Sequence, residues 1–96
     1  MEFQPLHTTI EKTIQTFLGD IFLENPAGFP WDESNLYMAS QDGRIIWRAE
    51  KPDPKTLFSR VTLNKDGETF SAYTLGGHAC DLELRTGKLI SFTTLK

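Results

Sequence analysis

Short polar turns recur about every ten residues through the second half of this 96-residue chain. They constrain its fold more than any other feature, because an antiparallel meander produces turn signals at this spacing. The turns are Gln41-Asp42-Gly43-Arg44, Lys65-Asp66-Gly67-Glu68, Gly76-Gly77 and Arg85-Thr86-Gly87-Lys88, with a proline-bearing loop from Lys51 to Lys55. Between them apolar side chains alternate. Ile45, Trp47 and Ala49 fall on one face of an extended segment and Arg44, Ile46 and Arg48 on the other. Leu57, Val61 and Leu63 repeat the pattern, opposite Phe58, Arg60 and Thr62. The spacing predicts strands at 21–24, 36–40, 45–49, 57–63, 69–75, 79–84 and 89–95. Asp42-Gly43 and Asp66-Gly67 suit type I′ turns, whose central residues need positive φ.

The N-terminal part follows another period. Thr8 with Glu11 fits a capping box, and Ile10, Ile14, Phe17, Leu18 and Ile21 make one apolar stripe at helical spacing. Gly19 then serves as a stop. The expectation is a single domain over residues 1–96, with a helix at about 8–18 and a β-meander at about 20–95. The fold class is mainly β with one N-terminal α-helix.

Composition narrows the function classes. With 39% hydrophobic and 24% charged residues, the chain can build one modest core. The single cysteine, Cys80, has no partner for an internal disulfide. That fits a reducing compartment, and with no export signal at the N-terminus the cytoplasm is the expected address. No apolar run approaches the roughly 18–20 residues of a membrane span. Between Lys12 and Arg44 there is no Lys or Arg, whereas Asp20, Glu24, Asp32, Glu33 and Asp42 all fall there. Such a segment repels nucleic acid and steers a basic protein partner.

Catalytic machinery is not visible, and neither a catalytic residue nor a metal or other cofactor is expected. His78 and Cys80 would share a strand face, but a zinc site takes about three or four ligands and only distant His7 or a carboxylate remains. Cys80 alternates with Leu82 and Leu84 as a core residue would. A working carboxylate pair at Asp32–Glu33 or Asp81–Glu83 would need a cleft between its members, for which a chain this short has few residues to spare, and Gly76-Gly77 reads as a turn. Phe29-Pro30-Trp31-Asp32-Glu33 is the most prominent run: its aromatics either anchor an interface, since binding energy concentrates in a few such residues, or fold back to cap a core short of bulk. The expected partner-binding residues are Phe29, Trp31, Asp32, Glu33, Tyr37, Asp42, Glu50, Asp53 and Tyr73.

Gly43-Arg44-Ile45-Ile46-Trp47 and Gly87-Lys88-Leu89-Ile90-Ser91 align at an offset of 44 residues. The stretches from Asn35 to Arg48 and from Asp81 to Ile90 resemble blade repeats of quinoprotein-type β-propellers, although Ser91 replaces the second tryptophan. That resemblance implies a half-propeller of two small sheets. In size and blade motif the chain is also similar to immunity proteins of bacterial contact-dependent growth inhibition and related polymorphic toxin systems. It implies a cytosolic inhibitor, monomeric when free, that covers the active site of a basic cognate toxin, a nuclease with ribonuclease favoured. The alternative is a structural or interaction module that self-associates through open sheet edges.

Overall fold

The computed structural model describes residues 4–95, and among them the chain forms eight strands and no helix. Strands β1 (Ile10–Gln15), β2 (Asp20–Glu24), β3 (Leu36–Ala39) and β4 (Ile45–Arg48) form one four-stranded antiparallel sheet in chain order. Strands β5 (Phe58–Leu63), β6 (Thr69–Thr74), β7 (His78–Glu83) and β8 (Leu89–Thr94) form the second in the same way. Both sheets are open. Their inner faces share one core, in which Ile21, Leu36 and Met38 of the first meet Phe58, Phe70 and Leu82 of the second.

Polar and aromatic side chains join the sheets. The Trp47 ring stacks on Phe70 at a centroid distance of 5.3 Å, and its Nε1 donates to the Leu84 carbonyl at 2.9 Å. Buried Asn35 stands in for a strand: its Nδ2 donates to the carbonyls of Glu24 at 2.7 Å and Phe58 at 2.8 Å, while its Oδ1 accepts from Phe58 N at 2.8 Å. Lys12 Nζ donates to the Val61 carbonyl at 3.1 Å.

The expected helix at 8–18 is strand β1 and its turn. The spacing of Ile10 and Ile14 fits a helix and a strand equally well, and the β-branched run Thr8, Thr9, Ile10, Thr13, Ile14 and Thr16 favours the strand. Thr8 caps no helix, for its N–H donates to the Glu24 carboxylate at 2.9 Å and its hydroxyl to the Asn25 carbonyl at 2.7 Å. Gly19 ends a β1–β2 hairpin turn, where a Cβ would lie 2.8 Å from the Ala39 carbonyl oxygen.

The half-propeller is also corrected. A ring needs each blade to leave a face for the next blade to cover. Here the inner faces cover one another, and Leu6 and Ile10 pack over Phe22, Tyr37 and Ala39 on the outside of the first sheet. The outer face of the first sheet is thus already covered from within the chain. The Gly43–Trp47 and Gly87–Ser91 repeat marks the start of the last strand in each sheet.

Each sheet carries a register shift in its first and last strand. Counting partners, the extra residues are Glu11 in β1, Ile46 in β4, Ser59 in β5 and Ile90 in β8. All four lie on edge strands, where bulges bend a strand and discourage further pairing. The bulge in β4 turns Ile45 to the outer cluster while Trp47 stays in the core, so these two do not share a face as their alternation predicts.

Both Asp-Gly hairpins form, though not as type I′ turns. Gly43 and Gly67 have φ of 87° and 72°, and among the described residues no non-glycine residue has positive φ. In the first, Gly43 N donates to Ser40 O and Ser40 N to Arg44 O, both at 2.9 Å. This is the three-residue loop in which only the last position is left-handed. A Cβ on Gly43 would meet nothing within 4 Å. Gly43→Val is therefore expected to cost about 1–3 kcal/mol from backbone strain alone, and Gly43→Asn less, because Asn tolerates the left-handed region. Urea denaturation of the two variants checks this ordering.

Candidate functional site

The expected binding residues do not gather on one surface. Phe29 is buried, edge-on to the His7 ring at 4.9 Å. Tyr37 is buried in the outer cluster, and its hydroxyl donates to the Glu24 carboxylate. Trp31 is 54% exposed and, with Asp32, Pro54 and Lys55, lines a shallow depression of ≈ 470 Å³. The backbone under it is clamped by Lys51, whose Nζ donates to the carbonyls of Trp31 at 2.6 Å, Glu33 at 3.0 Å and Pro54 at 3.1 Å. Burial pulls the Lys51 ammonium below its ordinary pKa, opposed by the charges of Asp32 and Asp53. Asp53 caps its own loop through Lys55 N at 2.9 Å. Tyr73 lies apart, in a groove of ≈ 550 Å³ between β1 and β5 that Lys12 and Arg60 also line.

The acidic stretch is dispersed as well. Glu24 is wholly buried. Glu33 accepts from His7 Nε2 at 3.1 Å and Arg48 at 3.3 Å. Asp42 is spent on its turn, bonded to the Ser40 hydroxyl and to Arg44 N, and those bonds hold its carboxyl below the usual range. Cys80 is buried, and burial followed by the neighbouring Asp81 charge pushes its thiol pKa up to about 11. It is a neutral core side chain at physiological pH. His78 bonds to the Thr74 hydroxyl at 2.7 Å and packs edge-on to Phe92 at 5.6 Å.

The most distinctive surface is the free edge of β8. Of the four edge strands, β1 contains Glu11 and Lys12, β4 contains Arg48 and β5 contains Arg60, while β8 (Leu-Ile-Ser-Phe-Thr-Thr) carries no charge. Ile90, Phe92 and Leu95 are 55%, 47% and 50% exposed. The register says which backbone groups are open. Leu95 N donates to Gly77 O at 2.6 Å and β7 pairs Ala79 with Thr93, so Ser91, Thr93 and Leu95 turn their backbone groups toward β7. By the alternation of an antiparallel pair, Phe92 and Thr94 turn theirs outward. Among the described residues, only the start of the edge is covered, where Glu50 Oε1 accepts from Leu89 N at 2.8 Å and Glu50 N donates to Gly87 O at 2.9 Å. The sequence displays the uncharged run 89–95, but only the strand order shows that it lies at an edge.

No protein-family model, curated protein or solved structure matches the chain. Two separate open sheets, with no relative to carry the name, overturn the resemblance to propeller blades and to immunity proteins of contact-dependent growth inhibition. Nothing in these comparisons supports a toxin inhibitor or a cytoplasmic address.

Proposed function

We propose that this protein is an interaction module that self-associates through the free edge of its second sheet. The observation that carries the reading is the contrast among edges: three are interrupted by charged side chains, while β8 is uncharged and no described residue pairs with its outward backbone groups at Phe92 and Thr94. Bare edges template pairing with another strand, and natural sheets block that pairing with charges, prolines or bulges. In β8 the bulge lies at Ile90, leaving Ser91 to Leu95 regular. A six- to seven-residue uncharged segment of high β-propensity is the pattern that pairs most readily.

Sedimentation velocity over a range of protein concentrations tests the reading. The unmodified protein is expected to associate as concentration rises. Thr94→Pro removes an outward N–H without touching the β7 ladder, and Phe92→Lys adds a charge to the edge. Both variants are expected to remain monomeric at concentrations where the parent associates. Because the strand is uncharged, the association should change little with salt. A parent that stays monomeric at every concentration, or variants that associate as well as the parent, would rule the reading out.

A further inference from the structure

We infer that two copies of the chain pair β8 against β8 antiparallel, about a two-fold axis passing through Thr93, to make one continuous eight-stranded sheet. The inference rests on the self-association proposed above and specifies its partner and register. Phe92 and Thr94 are the two residues of the regular part of β8 whose N–H and C=O groups face away from β7. They are disposed symmetrically about Thr93. An antiparallel copy therefore satisfies all of these groups in one register, with Phe92 opposite Thr94 of the second copy in a hydrogen-bonded pair and the reverse across the axis. Thr93 then faces its own counterpart in a non-hydrogen-bonded pair, and Ser91 faces Leu95.

Three features favour a second copy over a foreign strand. The open groups are self-complementary, which is what an isologous two-fold interface requires. No charged side chain lies between Leu89 and Leu95, so reversing the strand on itself opposes no like charges. Glu50 occupies the outward N–H of Leu89, which stops pairing at that end and centres the usable edge on Thr93. On the inner face the register places Phe92, 47% exposed in the single chain, beside Thr94 of the second copy.

The test is disulfide formation under mild oxidation, read on non-reducing gels and alongside sedimentation of the reduced protein. Non-hydrogen-bonded antiparallel pairs hold their Cα atoms about 4.5 Å apart, within the span a disulfide bridges. Thr93→Cys, on the exposed face of the strand, is expected to convert to covalent dimer. Ser91→Cys and Leu95→Cys are each expected to stay unlinked alone and to link when mixed. The unmodified protein, whose only thiol is buried, gives the baseline. If the reduced protein dimerises but Thr93→Cys fails to link, the register is wrong while self-association stands. If the protein is monomeric throughout and none of the variants link, both fall. If association appears only after adding another protein, the second-copy inference is overturned in favour of a foreign strand.

Discussion

Replacing Glu24 with leucine is expected to destabilise the protein by about 3–5 kcal/mol, a large share of a typical domain's stability. The carboxylate is wholly buried and holds the segment before β1 in place. It accepts the backbone N–H groups of Leu6 at 2.6 Å, His7 at 3.0 Å and Thr8 at 2.9 Å, together with the hydroxyl of Tyr37. Leucine would fill the space and leave these donors without an acceptor. Each buried polar group stranded in this way costs about 1–3 kcal/mol, less where water can reach it. Tyr37→Phe removes only one donor and should cost about 1–2 kcal/mol, so the two variants rank the carboxylate against the hydroxyl. Amide exchange at Leu6, His7 and Thr8 should accelerate in Glu24→Leu. Retention of the parent's stability and exchange rates would show that the carboxylate does not hold this segment.

The same site sets a pH dependence. Burial pushes the Glu24 carboxyl up, but the Thr8 N–H, the Tyr37 hydroxyl and the Leu6 and His7 N–H groups outweigh it and hold the group below the usual carboxylate range. An unfolded glutamate titrates near about 4.3. The stabilisation from Glu24 is therefore complete above that pH and is lost as pH falls through the lower folded value. Acid unfolding should be less steep in Glu24→Gln, which no longer takes up that proton.

Gly87→Ala is expected to cost about 2–5 kcal/mol, more than the same change at Gly43. The two glycines share a left-handed backbone, with φ of 72° and 87°. They differ in what lies above them. A Cβ on Gly87 would sit 2.5 Å from Cε3 of Trp47, whereas one on Gly43 meets nothing within 4 Å. The Trp47 ring is held between Gly87 and Phe70 and pinned by its bond to Leu84 O, so it has little room to retreat. Trp47→Ala should cost about 3–5 kcal/mol by opening the core between the sheets. Urea denaturation reads both effects, followed by tryptophan fluorescence for Gly87→Ala and by circular dichroism for Trp47→Ala, which lacks the buried reporter. In Gly87→Ala the buried Trp47 emission should shift to the red, while exposed Trp31 contributes a constant background. Equal losses at Gly87 and Gly43 would mean that the ring contact has no energetic weight.

Much of the strand pattern is legible in the residues, because a period of two between polar turns has few other solutions. The segments around Trp47, Val61, Ala72 and Leu82 lie in strands as their alternation implies. Residues 8–18 defeat that reasoning, since spacings of four satisfy a helix and a strand alike and only the threonines argue for the strand. The bulges are equally hidden, and one at Ile46 was enough to send Ile45 to the other face. Glu24 and Asn35 have no sequence signal because their partners, mostly backbone groups, lie more than ten residues away along the chain. Glu24 in particular reads as one more charge in an acidic surface until burial removes it. Phe29 and Tyr37 read as contact residues for the same reason: an aromatic beside prolines or acids looks identical whether it caps a core or faces a partner.

The most direct test of the β8 edge is amide hydrogen exchange resolved at Ser91 to Leu95 in dilute and concentrated protein. In the single chain Leu95 N bonds to Gly77 O and the register turns the Thr93 amide toward β7, while no described residue accepts from the amides of Phe92 and Thr94. Pairing at the β8 edge predicts that Thr93 and Leu95 exchange slowly at both concentrations, while Phe92 and Thr94 exchange fast when dilute and become protected when concentrated. Fast exchange at Phe92 and Thr94 at every concentration would contradict it.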